Sequence, residues 1–197
     1  MRNISGKKRF PYIKAFAVII FILLFTACLI LYFYPVKHMD LINKYSEKYN
    51  LRPEFVCAVI NTESGFDKNE TSKKGARGLM QIMKTTADWV NSKEPIENYN
   101  YENIYDPELN IHIGCRYLSW LNEKYENNRT LVLAAYNAGT GNLAKWLSDE
   151  KYSSDEKTLT KIPFKETEDY VKKVNAAEKF YKYILKLPFI NNTKTTK

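Results

Sequence analysis

The sequence predicts a mainly α domain carried behind an N-terminal transmembrane helix. Ala15–Tyr34 is a run of 20 residues without a charge. Beyond it, apolar residues recur at three- and four-residue intervals, the spacing of amphipathic helices. No stretch alternates apolar and polar residues with the period of two that a half-buried strand requires.

The uncharged run comes first. At about 1.5 Å per residue it spans about 30 Å, the depth of a bilayer core. Segment 1–14 before it carries Arg2, Lys7, Lys8, Arg9 and Lys14 and no acidic residue. Basic residues flanking a span stay on the cytoplasmic side, so a single pass is expected at 15–34, with the N-terminus in the cytoplasm and residues 37–197 outside. A cleaved signal peptide would have a shorter apolar core and a small-residue cleavage site, and none is evident. Phe25-Thr26-Ala27-Cys28 loosely resembles a lipidation box, but Leu29–Phe33 continues apolar past the cysteine, as a spanning helix would.

The chain has a net charge of +8, from 30 basic and 22 acidic residues. Residues 1–36 hold five of the basic residues and none of the acidic ones, which leaves 25 against 22 for the remainder. A domain this nearly balanced lacks the basic stripe that nucleic acid demands, so no nucleic-acid partner is expected.

In residues 37–187, Leu41, Ile42, Tyr45 and Tyr49 mark one face of a first helix. Pro53 opens a second, where its missing N–H costs nothing. Phe55, Val56, Val59 and Ile60 form its apolar face and Gly65 ends it. Gly75-Ala76-Arg77-Gly78 leads into Leu79–Met83, read as a short helix. Residues 91–107, with Pro95 and Pro107, read as a long loop. Ile111, Cys115, Leu118, Leu121 and Tyr125 mark a further amphipathic helix. Leu131–Ala135 is apolar all round, which predicts a central helix. Residues 148–161 read as an exposed loop. Val171, Val174, Glu178, Tyr181 and Ile184 stripe the last helix, Pro188 stops it, and the tail 188–197 is expected to be disordered.

Glu63 breaks the pattern. It lies four residues after Val59 and three after Ile60, on the apolar face. Burying a carboxylate is expensive, and a helix C-terminus disfavours negative charge. Both effects favour the protonated form that a general acid needs. A buried glutamate satisfied by an ion pair or a cap would fit the same position. Asn137, within the apolar Leu131–Gly139 segment, and Gln81, between Met80 and Ile82, pose the same question: a buried amide needs partners, either protein groups or a polar ligand such as a sugar. Asp67 is read as a turn-forming residue rather than a second acid. His38 and His112 lack ligand spacing, no phosphate loop or dinucleotide fingerprint appears, and no metal or cofactor is expected. Cys57 and Cys115 are either a disulfide in an oxidising space or two small buried thiols.

Together these segments resemble the catalytic domain of soluble-type lytic transglycosylases, relatives of goose-type lysozyme, from about residue 40 to about 186. Glu63-Ser64-Gly65-Phe66 looks like the family's catalytic Glu-Ser motif. Gly75–Gln81 looks like its Gly-Leu-Met-Gln motif, and Ala135-Tyr136-Asn137-Ala138-Gly139 like its Ala-Tyr-Asn-Ala-Gly motif. Ile162-Pro163-Phe164, with Glu166-Thr167 and Tyr170-Val171, looks like the fourth. Asp106-Pro107, Asn110-Ile111, Gly114 and Tyr117-Leu118 are lesser echoes. Thr140 departs from the pattern, where proline is common.

The resemblance implies a lysozyme-like fold and an enzyme acting on peptidoglycan glycan strands, cutting the β-1,4 bond between N-acetylmuramic acid and N-acetylglucosamine to leave 1,6-anhydromuramyl ends. It makes Glu63 the catalytic acid and base, and Ser64, Gln81, Tyr136, Asn137 and Tyr170 substrate-binding residues. Gly78, Met80, Gly139 and Glu166 become supporting residues, with Gly78 and Gly139 allowing close backbone approach. A hydrolytic lysozyme-type muramidase would use the same glutamate with water in place of the muramyl C6 hydroxyl. A wall-binding or scaffold module would hold the sugar without cutting it. Protein partners stay unknown at this level.

Overall fold

The computed structural model describes residues 10–187. They divide at Pro35 and Val36 into two compact units. The first is a single helix, α1 (Phe10–Phe33). Its stretch Tyr12–Phe33 is long and apolar enough to cross a membrane. Thr26 Oγ1 donates to Ile22 O at 2.7 Å, so this hydroxyl is satisfied within the helix, as an apolar solvent demands. The expected tail, 188–197, lies outside the described residues.

The second unit holds α2 (Met39–Lys48), α3 (Pro53–Ser64), α4 (Lys84–Lys93), α5 (Pro107–Lys124), α6 (Arg129–Ala138), α7 (Thr140–Leu147) and α8 (Lys165–Ile184). The only β pairing among the described residues is two isolated antiparallel bridges, Thr71 to Arg77 and Arg77 to Ile82. The mainly α expectation holds.

Local sequence explains the helix ends. Pro53 occupies the first turn of α3, and Gly65 caps its end at φ 59°, a conformation that costs glycine little. Asp106 accepts from Leu109 N at 3.0 Å to start α5 ahead of Pro107. Asn128 does the same for α6 through Leu131 N at 3.3 Å. Phe55–Ile60 and Leu131–Ala135 are buried on every side; α6 is central as its apolar run predicts, and α3 is central too, beyond the single apolar face read for it.

α8 packs along α3 and against α6. Its inward stripe is Tyr170, Val171, Val174, Ala177, Tyr181 and Ile184. The pair runs antiparallel. Tyr170 lies beside Glu63 at one end, and Glu178 pairs with Arg52 at the other. Arg129 Nη2 stands 3.4 Å from the same carboxylate, and its guanidinium lies 3.6 Å above the Phe55 ring. The buried Glu178 of the predicted stripe is therefore matched by two cations, as a carboxylate in such a place must be.

Three readings are corrected. Leu79–Met83 is not a helix but a turn closed by the Arg77–Ile82 bridge. Its apolar residues are buried by contacts from other elements rather than by helical periodicity. The stretch 91–107 is not all loop: α4 runs to Lys93, and Tyr101–Asn103 forms a 3-10 turn capped by Asn100. α4 itself was missed because only Ala87 and Val90 are buried in it, too few to print a period. Residues 148–161 lie in the segment between α7 and α8, as read, with Ser153 buried in it. There Asp155 accepts from Lys157 N, Thr158 N and Thr158 Oγ1, which hold its carboxyl down to about 2. Cys57 and Cys115 are free thiols, both fully buried.

Candidate active site

Glu63 sits in the last turn of α3. Its side chain is largely enclosed, yet the residue keeps a solvent-reachable edge. Burial pushes its carboxyl up from 4.5 to about 7. Tyr170 acts against that shift and the charge of Glu166 adds to it. Near neutrality the group therefore exists in both protonation states, which suits a residue that must give and then take a proton.

Two phenols stand by this carboxyl. Tyr136, from α6, and Tyr170, from α8, are both driven well above the usual phenol range, first by burial and then by the Glu63 charge. Tyr136 is otherwise engaged: its hydroxyl donates to Met80 O at 2.8 Å. The Tyr170 hydroxyl is buried and makes no hydrogen bond of normal geometry among the described residues. It is close enough to Glu63 to stabilise the anion, but not seated on it. Tyr170→Phe is expected to raise the Glu63 titration midpoint further and to leave folding stability unchanged or slightly higher. A carbon-13 carboxyl titration and a thermal melt would check both; a downward shift would contradict this placement of the ring.

The loop 66–83 reaches the site through Met80, whose carbonyl receives Tyr136, and its shape is set from outside. Ser64 Oγ donates to Leu79 O at 2.8 Å. Met80 is held at both ends of its backbone: its N–H donates to Asn110 Oδ1 at 2.8 Å, and its carbonyl receives Tyr136. The Asn110 amide nitrogen reaches Arg77 O at 3.0 Å and Ile104 O at 2.9 Å. Asn110 is fully buried and uses the whole amide to knot α5, the loop and the 3-10 segment together. Gly78, at φ 78°, lies against it: a Cβ there would stand 2.3 Å from Asn110 Nδ2 and 3.0 Å from Ile104 O. Close approach is the reason for this glycine. Gly114 makes room in the same way for the Met80 side chain, whose Sδ would lie 2.3 Å from an added Cβ.

The remaining predicted residues fall as follows. Gln81 adopts φ 49° and commits its amide nitrogen to Gly78 O at 2.9 Å and Glu70 O at 3.1 Å. Its nitrogen shapes the loop. Asn137 Oδ1 accepts from Thr167 Oγ1 at 2.7 Å across α6 and α8. Thr167 is buried; the sequence named it only within the fourth motif, with no role of its own. Its neighbour Glu166 is 76% exposed, 3.9 Å from Lys74, and touches Glu63 only through its field. Gly139 is not a close-approach site: nothing lies within 4 Å of an added Cβ. Its φ 86° and ψ 148° belong to glycine alone, and they turn the chain from α6 into α7. Asp67 closes a turn onto Asn69 N at 2.9 Å.

Beyond Tyr136 the rings continue. Tyr117 lies 5.6 Å from it, Trp120 stacks on Tyr117 at 5.8 Å and 19°, and Trp89 meets Trp120 at 4.5 Å. This aromatic group joins α4 to α5 and leads outward from the carboxyl.

The transglycosylase SLT domain matches residues 40–159, which ends before α8. Over 154 residues the chain is 35% identical to a soluble lytic murein transglycosylase of Escherichia coli, covering 77% of this chain and 24% of that protein. It is 32% identical to a membrane-bound lytic murein transglycosylase C of Pectobacterium atrosepticum, covering 74% and 47%. Among solved structures, the 70 kDa soluble lytic transglycosylase of Escherichia coli superposes with TM-score 0.69 at 32% identity, over 78% of this chain and 25% of that one. A 70 kDa soluble lytic transglycosylase solved in complex with bulgecin A superposes with the same TM-score, 0.69. The chain spans about a quarter of the length of its soluble relatives.

Proposed function

The chain belongs to the transglycosylase SLT domain family, and from that premise we propose that it is a membrane-anchored lytic transglycosylase acting on the glycan strands of peptidoglycan. The observation that carries the reading is the carboxyl of Glu63, raised to about 7 by burial beside Tyr136 and Tyr170.

In this reading Glu63 is protonated as the strand binds and gives its proton to the oxygen that links N-acetylmuramic acid to N-acetylglucosamine. The bond from that oxygen to the muramyl anomeric carbon breaks. The positive charge developing on that carbon is met by the carbonyl oxygen of the substrate's own N-acetyl group, in keeping with the substrate-assisted departures from the two-carboxylate scheme. Glu63, now a carboxylate, removes the proton of the muramyl C6 hydroxyl, and that oxygen closes on the anomeric carbon. Attack within one ring sacrifices no translational freedom, which favours it over water. Each turnover returns Glu63 to its protonated state and needs no metal or cofactor. Tyr170 holds the anion between the two proton transfers. Ser64, Gln81, Tyr136 and Asn137 shape the sugar cleft, partly by fixing the loop that lines it. Segment 15–34 would hold the enzyme in the membrane with residues 1–14 in the cytoplasm and the catalytic domain, 37–187, on the outer side.

Mass spectrometry of muropeptides released by the full chain from purified peptidoglycan tests this directly. The expected products end in 1,6-anhydromuramic acid. Reducing ends would make the protein a hydrolase, and retention on peptidoglycan without release would make it a binding module.

A further inference from the structure

α8 carries two apolar stripes where a surface helix needs one. The inward stripe packs on α3 and α6. The outward one, Ala176, Phe180 and Tyr183, repeats at the spacing i, i+4, i+7 on the exposed side, and Leu187 follows just past the helix end. Phe180 is 48%, Tyr183 72% and Leu187 40% exposed. Lys179, Lys182 and Lys186 run alongside it, all exposed. Between Tyr170 and Leu187 the sole acidic residue is Glu178, which is turned inward to Arg52 and Arg129. Aromatic and aliphatic side chains in line with lysines and free of exposed carboxylates make up the composition of a helix that lies in a bilayer interface, with rings at headgroup depth and ammonium groups on lipid phosphates.

From this face we infer that the C-terminal half of α8 docks the catalytic domain on the anionic surface of the membrane that holds its own anchor. The inference rests on the anchored reading given above. The tether supports it: α1 ends at Phe33 and α2 begins at Met39, so residues 34–38 alone connect them, a reach under about 20 Å even when fully extended. A domain so tethered meets lipid constantly, and a basic, aromatic face then has a partner at high local concentration. The helix pair also orients the result. Residues 179–187 lie beyond Glu178, at the end of α8 opposite Tyr170 and Glu63, so docking leaves the cleft unobstructed.

The test uses the full chain in nanodiscs of phosphatidylcholine and phosphatidylglycerol with brominated acyl chains. A bimane label is placed at Tyr183→Cys, or at Gly141→Cys as an exposed reference on α7, both in a Cys28→Ala background. The expected result is quenching at position 183 at least about twofold that at 141. The difference should vanish in pure phosphatidylcholine and in a Lys179→Glu/Lys182→Glu/Lys186→Glu variant whose circular dichroism melt is unchanged. Equal quenching at both positions overturns the proposal, whether the stripe is covered by another part of the chain or meets an acidic wall polymer instead. Failure of the chain to remain with the discs would instead overturn the anchored reading, and is seen separately by size exclusion.

Discussion

Glu63→Gln is expected to reduce release of anhydromuropeptides by at least about a thousandfold, because the same carboxyl supplies both proton transfers. The amide preserves size and can still meet a sugar, so binding to glycan strands should persist. The same change should stabilise the fold at alkaline pH. The folded state holds the Glu63 proton up to about 7, whereas a solvated glutamate releases it near 4.5. Between those values the native protein binds more protons than the unfolded chain, so the contribution of this group to stability is present below pH 4.5 and is lost as pH rises to about 7. Glutamine has no proton to lose. Thermal melts at pH 4 and pH 8 should then show a variant more stable than the parent at pH 8 by about 1–2 kcal/mol, allowing for the solvent that reaches the residue, with the gain absent at pH 4. The activity of the parent should fall above pH 7, as the acid form disappears. A parent whose activity rises through pH 9 would remove Glu63 from the acid role.

Asn110→Ala should be the most damaging substitution outside the carboxyl itself. It strands one buried N–H, at Met80, and two carbonyls, at Arg77 and Ile104. Each unsatisfied group costs about 1–3 kcal/mol, and partial relaxation brings the total to about 3–5 kcal/mol, or roughly 10 °C in a domain of this size. Asn110→Asp separates the components. It keeps the acceptor for Met80 N and turns a carboxylate on two carbonyls, so it should be no better than alanine. Because Met80 is also the partner of Tyr136, residual activity should fall more than residual folded fraction. Calorimetry and turnover measured below the melting point would show this, and a loss of turnover that merely tracked unfolding would limit Asn110 to a structural part.

Much of this was legible from the chain. α5 and α8 printed their inward faces at helical spacing, and Glu63 stood out because it fell on such a face. What escaped is what long-range partners decide. The turn at 78–82 reads as helix because leucine, methionine and isoleucine crowd it, yet its backbone groups are taken up by Asn110, Tyr136 and Ser64 from three other elements. No local pattern encodes that. Asn110 passed as a minor echo, although a buried amide within Ile111, Ile113 and Leu118 was a visible anomaly. Thr167 was recoverable too. It lies three, four and seven residues before Tyr170, Val171 and Val174, on the buried face, while Glu166 next to it points out.

The packing of α8 on α3 also sets an order of events. The two helices that surround Glu63 are separated by some hundred residues of chain, and α8 is synthesised well after α3. Until it docks, Tyr170 is absent and the Glu63 carboxyl meets water as an ordinary glutamate. A nascent or C-terminally clipped chain thus carries its full set of earlier motifs and still has no acid at neutral pH. In the proposed reading, the neutral-pH acid therefore waits on the docking of α8, not on the motifs that precede it.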